Sequence, residues 1–342
     1  MQTQTVERQG ISLMTLAWLK YLLMKRMDEK DELCKGFFVL IMLCFMLSAC
    51  AQTEKPSHEK PDVESITVSF EHPETKQPFK IIHAYELFQN YTEKVESDPD
   101  RSPLDIYREE VIDPVYSACF ENGEYINMAE TVLNITPKQL KENQLLSEKI
   151  DREATEKSIK EGLFKSSEFL PTNNETTVCV FPATDVNANM VTIGAGKITA
   201  LYNKYYTDES IRAIIAHEYH HSVATENRPR GEDKVLDHLI FEGRAVMFEK
   251  LVYPDLNFTR VDLDYNKVYW ADVAADLDKP DLNRALDIIR GGNDLPYQYG
   301  YSEGYKMVKS YLDLHPDVSI EEWTALSPKE IFEKGNYLEN YQ

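Results

Sequence analysis

The spacing of apolar residues changes along the chain and predicts two kinds of element. Ile66-Thr67-Val68-Ser69-Phe70 alternates apolar and polar positions, as a strand with one wet face does. Thr176-Thr177-Val178-Cys179-Val180-Phe181 is rich in β-branched residues and reads as a second strand. Met190 to Ile198 reads as a third, with Gly194 and Gly196 leaving room for a ligand or another backbone. Elsewhere the spacing is helical: 82–95, 104–120, 127–133, 137–169, 213–224, 235–248, 271–276, 284–289, 301–314 and 327–334. The part from Lys141 to Lys160 is heavily charged and reads as a solvated stretch. Gly291-Gly292-Asn293-Asp294 marks a turn. Few strands among many helices, with no repeat, predict a helix-rich α+β fold. The stretch 65–342 is long enough for a substantial core, as one domain or two lobes.

The N-terminal region carries an address. Gly36 to Met46 is an apolar run too short to span a bilayer comfortably, and Leu47-Ser48-Ala49-Cys50 follows it. That ending resembles a bacterial lipobox, which is cut before a Cys that then receives lipid. Residues 1–49 are therefore expected to be a signal region; a start at Met24 or Met27 would give it an ordinary length, with Met1–Leu23 either untranslated or removed with the signal. Residues 50–64 are expected to be the lipidated Cys50 and a flexible tether, rich in Pro, Lys, Glu and Ser.

The chemistry concentrates in one predicted helix. Within Ala213 to Ala224 lies His217-Glu218-Tyr219-His220-His221, and Glu218 is the only acid in an otherwise apolar and His-bearing run. Two imidazoles four residues apart stack on one helix face, where both can hold one zinc ion, and the Glu beside the first can reach a water there. His220, three residues from His217, competes for the second position; the four-residue spacing favours His221. A catalytic zinc has three protein ligands and an open position. Glu242, inside the apolar run 235–248 and followed by Gly243, is the candidate third ligand, and His238 one turn earlier is a candidate neighbour. Asp262-Leu263-Asp264-Tyr265-Asn266 begins like a calcium loop but has Lys267 and Val273 where Gly and Glu are needed, so it is rejected.

His217-Glu218-x-x-His221 with Glu242-Gly243-x-Ala245 resembles the gluzincin metallopeptidases, the thermolysin-like group with a glutamate third ligand. More narrowly it resembles the predicted zinc-dependent proteases known from bacterial YjaZ-like proteins. The segments 107–116, 192–196 and Gly300-Tyr301-Ser302-Glu303-Gly304-Tyr305 add to the likeness, which extends over roughly Ser65 to Tyr341. The resemblance implies a zincin-like fold: a small sheet whose edge strand lies beside the metal-bearing helix, above a helical lower lobe. It implies one zinc ion per chain on His217, His221 and Glu242, and Glu218 as general base. It also implies a substrate strand near Gly194 and Gly196, and an oxyanion donor beyond the third ligand. Tyr301 and Tyr305 are candidates for that donor, and His315 a weaker one.

Charge narrows the partners. Six Lys or Arg and five Asp or Glu precede Cys50, so 31 basic and 53 acidic residues follow, about −22. Such a balance argues against nucleic acid and against polybasic attachment to anionic lipid. It leaves a lipid anchor as the membrane contact and a peptide or protein as the substrate. Only Cys119 and Cys179 follow Cys50; they either pair in an oxidising compartment or stay as buried thiols. The expected function is an extracytoplasmic, membrane-anchored zinc peptidase. The alternatives are a zinc hydrolase of another bond, such as a cell-wall amide, and a non-catalytic accessory lipoprotein.

Overall fold

A computed structural model describes residues 60–184, 190–226, 233–292 and 294–342. The expectations for the signal region, Cys50 and most of the tether fall outside the described residues. A five-stranded mixed sheet runs β1 (Thr67–Glu71), β2 (Pro78–Ile82), β3 (Thr176–Pro182), β5 (Lys197–Tyr202), β4 (Val191–Gly194) in spatial order. The inner pairings β2/β3 and β3/β5 are parallel, and the outer pairs β1/β2 and β4/β5 are antiparallel hairpins. β3 is buried throughout, as a parallel strand covered on both faces must be. Its alternate residues serve two cores. Val178 and Val180 pack with the helices below, and Cys179 and Phe181 with the segment between β2 and β3 above.

The helices are α1 (Phe88–Ser97), α2 (Pro137–Ser147), α3 (Arg152–Phe169), α4 (Asp208–Glu226), α5 (Val235–Val252), α6 (Lys267–Ala274), α7 (Leu282–Arg290), α8 (Tyr299–Leu314), α9 (Ile320–Ala325) and α10 (Pro328–Lys334), with short helical turns between Pro103 and Leu133. The fold is α+β and helix-rich, as expected. Among the described residues no helix is long and apolar enough to cross a membrane.

Several boundaries differ from the sequence expectation, each for a local reason. Met190 to Ile198 is a hairpin and not one strand, because Gly196 takes φ +65° and turns β4 back into β5. Residues 137–169 divide into α2 and α3, because the Asp151 side chain accepts the Ala154 N–H and starts a new helix. Residues 104–120 form a broken series of turns at Asp113-Pro114, where proline cannot continue the ladder. Cys119 and Cys179 are disulfide-bonded, with Cα atoms 6.0 Å apart, which joins the upper segment to β3.

Candidate metal centre

α4 begins at reciprocal hydrogen bonds: Ser210 N–H donates to the Thr207 hydroxyl at 3.2 Å, and Thr207 N–H to Ser210 Oγ at 2.8 Å. Asp208 and Glu209 fill its first turn, on the positive end of the helix dipole. Its middle is buried on nearly every side, with Ile211, Ile214, Ile215 and Tyr219 in the lower core. Gly162 of α3 lies so close to Ile215 that a Cβ there would meet its side chain at 2.7 Å. α5 reaches α8 by a still closer approach, since a Cβ on Gly243 would come within 2.1 Å of the Gly304 carbonyl carbon. This glycine contact brings Tyr301 of α8 near Glu242 of α5. The Gly-x-x-x-Gly spacing of 300–304 is thus a packing device as well: a Cβ on Gly300 would strike Ile289 Cα of α7 at 2.6 Å.

At the crossing of α4 and α5 three ligand-type atoms converge. His217 Nε2 and His221 Nε2 are 3.1 Å apart, and Glu242 Oε2 lies 3.2 Å from the first and 3.3 Å from the second. Ligands about 2.05 Å from a tetrahedral zinc are separated by about 3.3 Å, so the spacing fits the ion. The charge pattern fits too. Burial opposes a charge on His217, yet the hydrogen bond to Glu242 and the facing carboxylates of Glu249 and Glu218 outweigh it and lift the imidazole to about 10. Burial likewise opposes the Glu242 charge, but His221 and His217 hold its carboxyl far below the usual range. The pocket therefore draws positive charge to the point between these side chains. The two histidines, Glu242 and no other group of three among the described residues meet the geometry for a metal ion.

His220 turns away. Its ring stacks on Trp323 at 5.3 Å and 18°, its Nε2 is 3.2 Å from Thr324 Oγ1, and burial drives its pKa well down, so it packs as a neutral core imidazole. Of the two, His221 is the one whose Nε2 lies beside His217 and Glu242, and its ring stacks on Phe241 at 4.1 Å. His238 is half-buried on α5 and outside the converging set.

Glu218 is buried beside the cluster. The Thr192 hydroxyl on edge strand β4 is 2.8 Å from Glu218 Oε2 and 2.9 Å from its carbonyl oxygen. Burial raises the Glu218 pKa, and the two histidines and Thr192 restrain the rise. Tyr301 has its ring 6.0 Å from that of His217, and the charge of Glu242, then burial, pushes its hydroxyl well above the usual range. Tyr305, one turn on, has Lys309 and Asp313 as its charged neighbours and no group of the cluster. His315, at the far end of α8, is about 20 Å along the axis from Tyr301 and stacks on Tyr311 at 4.2 Å. Gly194 and Gly196 have backbone tasks. A Cβ on Gly194 would meet Glu124, whose carboxylate accepts the Ala195 N–H at 3.0 Å, and the neighbouring Ile193 carbonyl accepts from Tyr125 N–H at 2.8 Å. The segment 123–125 thus covers β4 where a substrate strand was expected.

Sequence reasoning missed Thr192, Phe241 and Glu249. Thr192 carried no signal, since strand threonines are ordinary. Glu249 did: it stands seven residues, two turns, after Glu242 and so shares its helix face.

The family model described as predicted Zn-dependent protease (DUF2268) matches residues 155–333. The chain belongs to this family. The match spans every member of the cluster and the 300–305 segment; the segment 107–116 lies outside it. The family's description suggests a hydrolase that uses zinc, and His217, His221 and Glu242 are residues that could hold the ion. No curated protein and no solved structure matches it.

Proposed function

We propose that the protein is a membrane-anchored, extracytoplasmic zinc peptidase of the gluzincin type. The observation that carries the reading is the convergence of His217 Nε2, His221 Nε2 and Glu242 Oε2 within 3.3 Å of one another, with the Glu218 carboxylate beside them. The chemistry supplied with zinc at this point is Lewis acidity, which acidifies water and polarises a carbonyl. Glu218 is the general base. Thr192 engages its Oε2, which leaves Oε1 to take the proton from the attacking water and pass it to the leaving amine. Burial supports both halves of that task, because it brings the carboxyl closer to the pH at which it gives the proton up again. Tyr301, kept protonated by Glu242, donates to the developing oxyanion. The lipobox ending at Cys50 supports anchoring, and the Cys119–Cys179 disulfide supports an oxidising compartment.

The test is cleavage of a diverse peptide library by the wild-type chain and by Glu218→Gln at equal zinc content. We expect cuts by the wild type and a loss of about 10²–10⁴-fold in the variant. Equal cutting by both would sink the assignment of Glu218. Cleavage of cell-wall fragments but of no peptide would move the substrate class.

A further inference from the structure

One buried acid near the cluster has no part in the chemistry so far. Glu249 on α5 is completely shielded from solvent. Its Oε1 accepts the Thr259 N–H at 3.0 Å and its Oε2 accepts the Thr259 hydroxyl at 2.5 Å. The same Oε2 faces Nδ1 of His217 at 3.6 Å, a few tenths of an ångström beyond a formed N–H···O bond. Among the described residues its ion pair is to His217 and not to Lys or Arg. Lys250, next in the chain, directs its ammonium to the Thr259 carbonyl at 2.9 Å. A carboxylate taken wholly out of water is costly unless a positive partner compensates it. Two neutral donors from a single threonine compensate only part of that cost.

The nearest group that can carry positive charge toward Glu249 is the His217 imidazole. His217 turns Nε2 toward His221 and Glu242 and Nδ1 toward Glu249, so its ring bridges the ligand point and the buried acid. We propose that Glu249 is the positioning residue of the metal centre. It holds His217 in the Nδ1–H tautomer, which leaves the Nε2 lone pair free for the ion, and its charge makes the imidazole a stronger donor. The device is one-sided. His221 has the Phe241 ring at 4.1 Å against it, and its carboxylate contact is Glu242 on the ligand side. The inference rests on the reading of His217, His221 and Glu242 as a metal site.

The competing role for Glu249 is to anchor the loop at Thr259 to α5, and two substitutions separate the roles. Glu249→Gln removes the charge and keeps an oxygen for Thr259, whereas Thr259→Val removes the hydroxyl and keeps the charge. Zinc affinity of the full chain is measured by chelator competition. We expect a 10–100-fold loss in Glu249→Gln and a change within about threefold in Thr259→Val. Affinity of Glu249→Gln within threefold of wild type overturns the proposal, and so does an equal loss in both variants. Should Glu249→Gln not fold, nitrogen–proton spectra of the zinc-loaded wild type decide. A slowly exchanging proton on Nδ1 of His217 is expected, and its absence overturns the proposal. A wild-type chain that binds no zinc refutes the metal site itself, an outcome separate from both.

Discussion

Two buried acid clusters flank α8, and they are built on opposite terms. Around Glu303, the chain supplies its own cation. Lys306 Nζ is 2.5 Å from Glu303 Oε1 and also donates to the Asp264 carbonyl at 2.6 Å; the hydroxyls of Tyr337 and Tyr341 donate to Glu303 Oε2. Both Glu303 and Lys306 are almost wholly buried. Around His217, three acids gather with two imidazoles, and among the described residues the ion pairs of Glu242 and Glu249 run to histidine alone. A cluster whose charges cancel internally is a fixture that ties the C-terminal segment to α8. A cluster that leaves negative charge facing one point is a receptor for a cation. Burial of carboxylates is common to both, so burial alone does not distinguish a site from a strut.

The comparison breaks most visibly on the Glu303 side. Lys306→Met leaves Glu303 buried without its cation and is expected to lower stability by about 3–5 kcal/mol, read from urea unfolding. Added zinc should not recover that loss, and the further change Glu303→Gln should recover much of it. On the other side the cation that would balance the acids comes from solution. Zinc at a thousand times its dissociation constant should stabilise the wild type by about 4 kcal/mol over the chelated protein. His221→Ala should abolish that difference in melting, while His220→Ala, which removes the contacts to Trp323, Thr324 and Phe248 and the edge contact to the His221 ring, should retain it. A zinc effect that survives in His221→Ala and vanishes in His220→Ala would reverse the ligand assignment.

Two buried imidazoles repeat the contrast on a smaller scale. His217, among acids, is lifted to about 10, whereas His83, fully buried, is lowered to about 4 by burial and by Arg152, with Glu156 resisting. The folded pKa of His83 lies below its unfolded value of 6.5, so the unfolded chain binds the extra proton between those values. Stability from this group is complete above about 6.5 and is lost as pH falls toward 4. Between pH 7 and pH 5 the loss should be about 2 kcal/mol. Urea midpoints of wild type and His83→Leu at both pH values isolate it, and equal pH dependence in the two proteins would remove His83 as the cause.

Much of the centre was legible because its residues are close in sequence. His217, Glu218 and His221 share one helix, and helical spacing alone places them. Glu242 was legible as an acid inside an apolar run, next to a glycine that the structure uses for the contact with Gly304. The choice between His220 and His221 was weaker, because one residue of rotation on a helix buried all round looks apolar in either direction. What holds His220 away from the cluster is Trp323, about a hundred residues on, in a helix the sequence reading overlooked despite its Ser319–Glu322 capping box. Glycines misled at β4. Gly194 and Gly196 do permit close approach, but the approaching backbone is residues 123–125 and the turn into β5. Strand β2 went unread, since Pro78–Ile82 runs straight into helical spacing at Ala84 and only pairing with β1 and β3 reveals it.

The finest test compares a single neutral donor on each side. Tyr341 and Thr192 each give a hydroxyl to a buried carboxylate, at 2.9 Å to Glu303 and 2.8 Å to Glu218. In the fixture, loss of such a bond should register as stability and leave turnover alone. In the centre it should register as turnover. Thr192→Val keeps the shape of the side chain and removes the hydroxyl, so the Glu218 carboxylate loses the donor that holds its orientation and favours its charged form. We expect kcat to fall about tenfold, or roughly 1.4 kcal/mol, with zinc content and KM unchanged. Because that hydrogen bond lowers the Glu218 pKa, its removal raises it, and the acid limb of the rate profile should move to higher pH. A Thr192→Val protein with wild-type kcat and an unmoved acid limb would show that the edge strand merely packs against α4 and does not set the base.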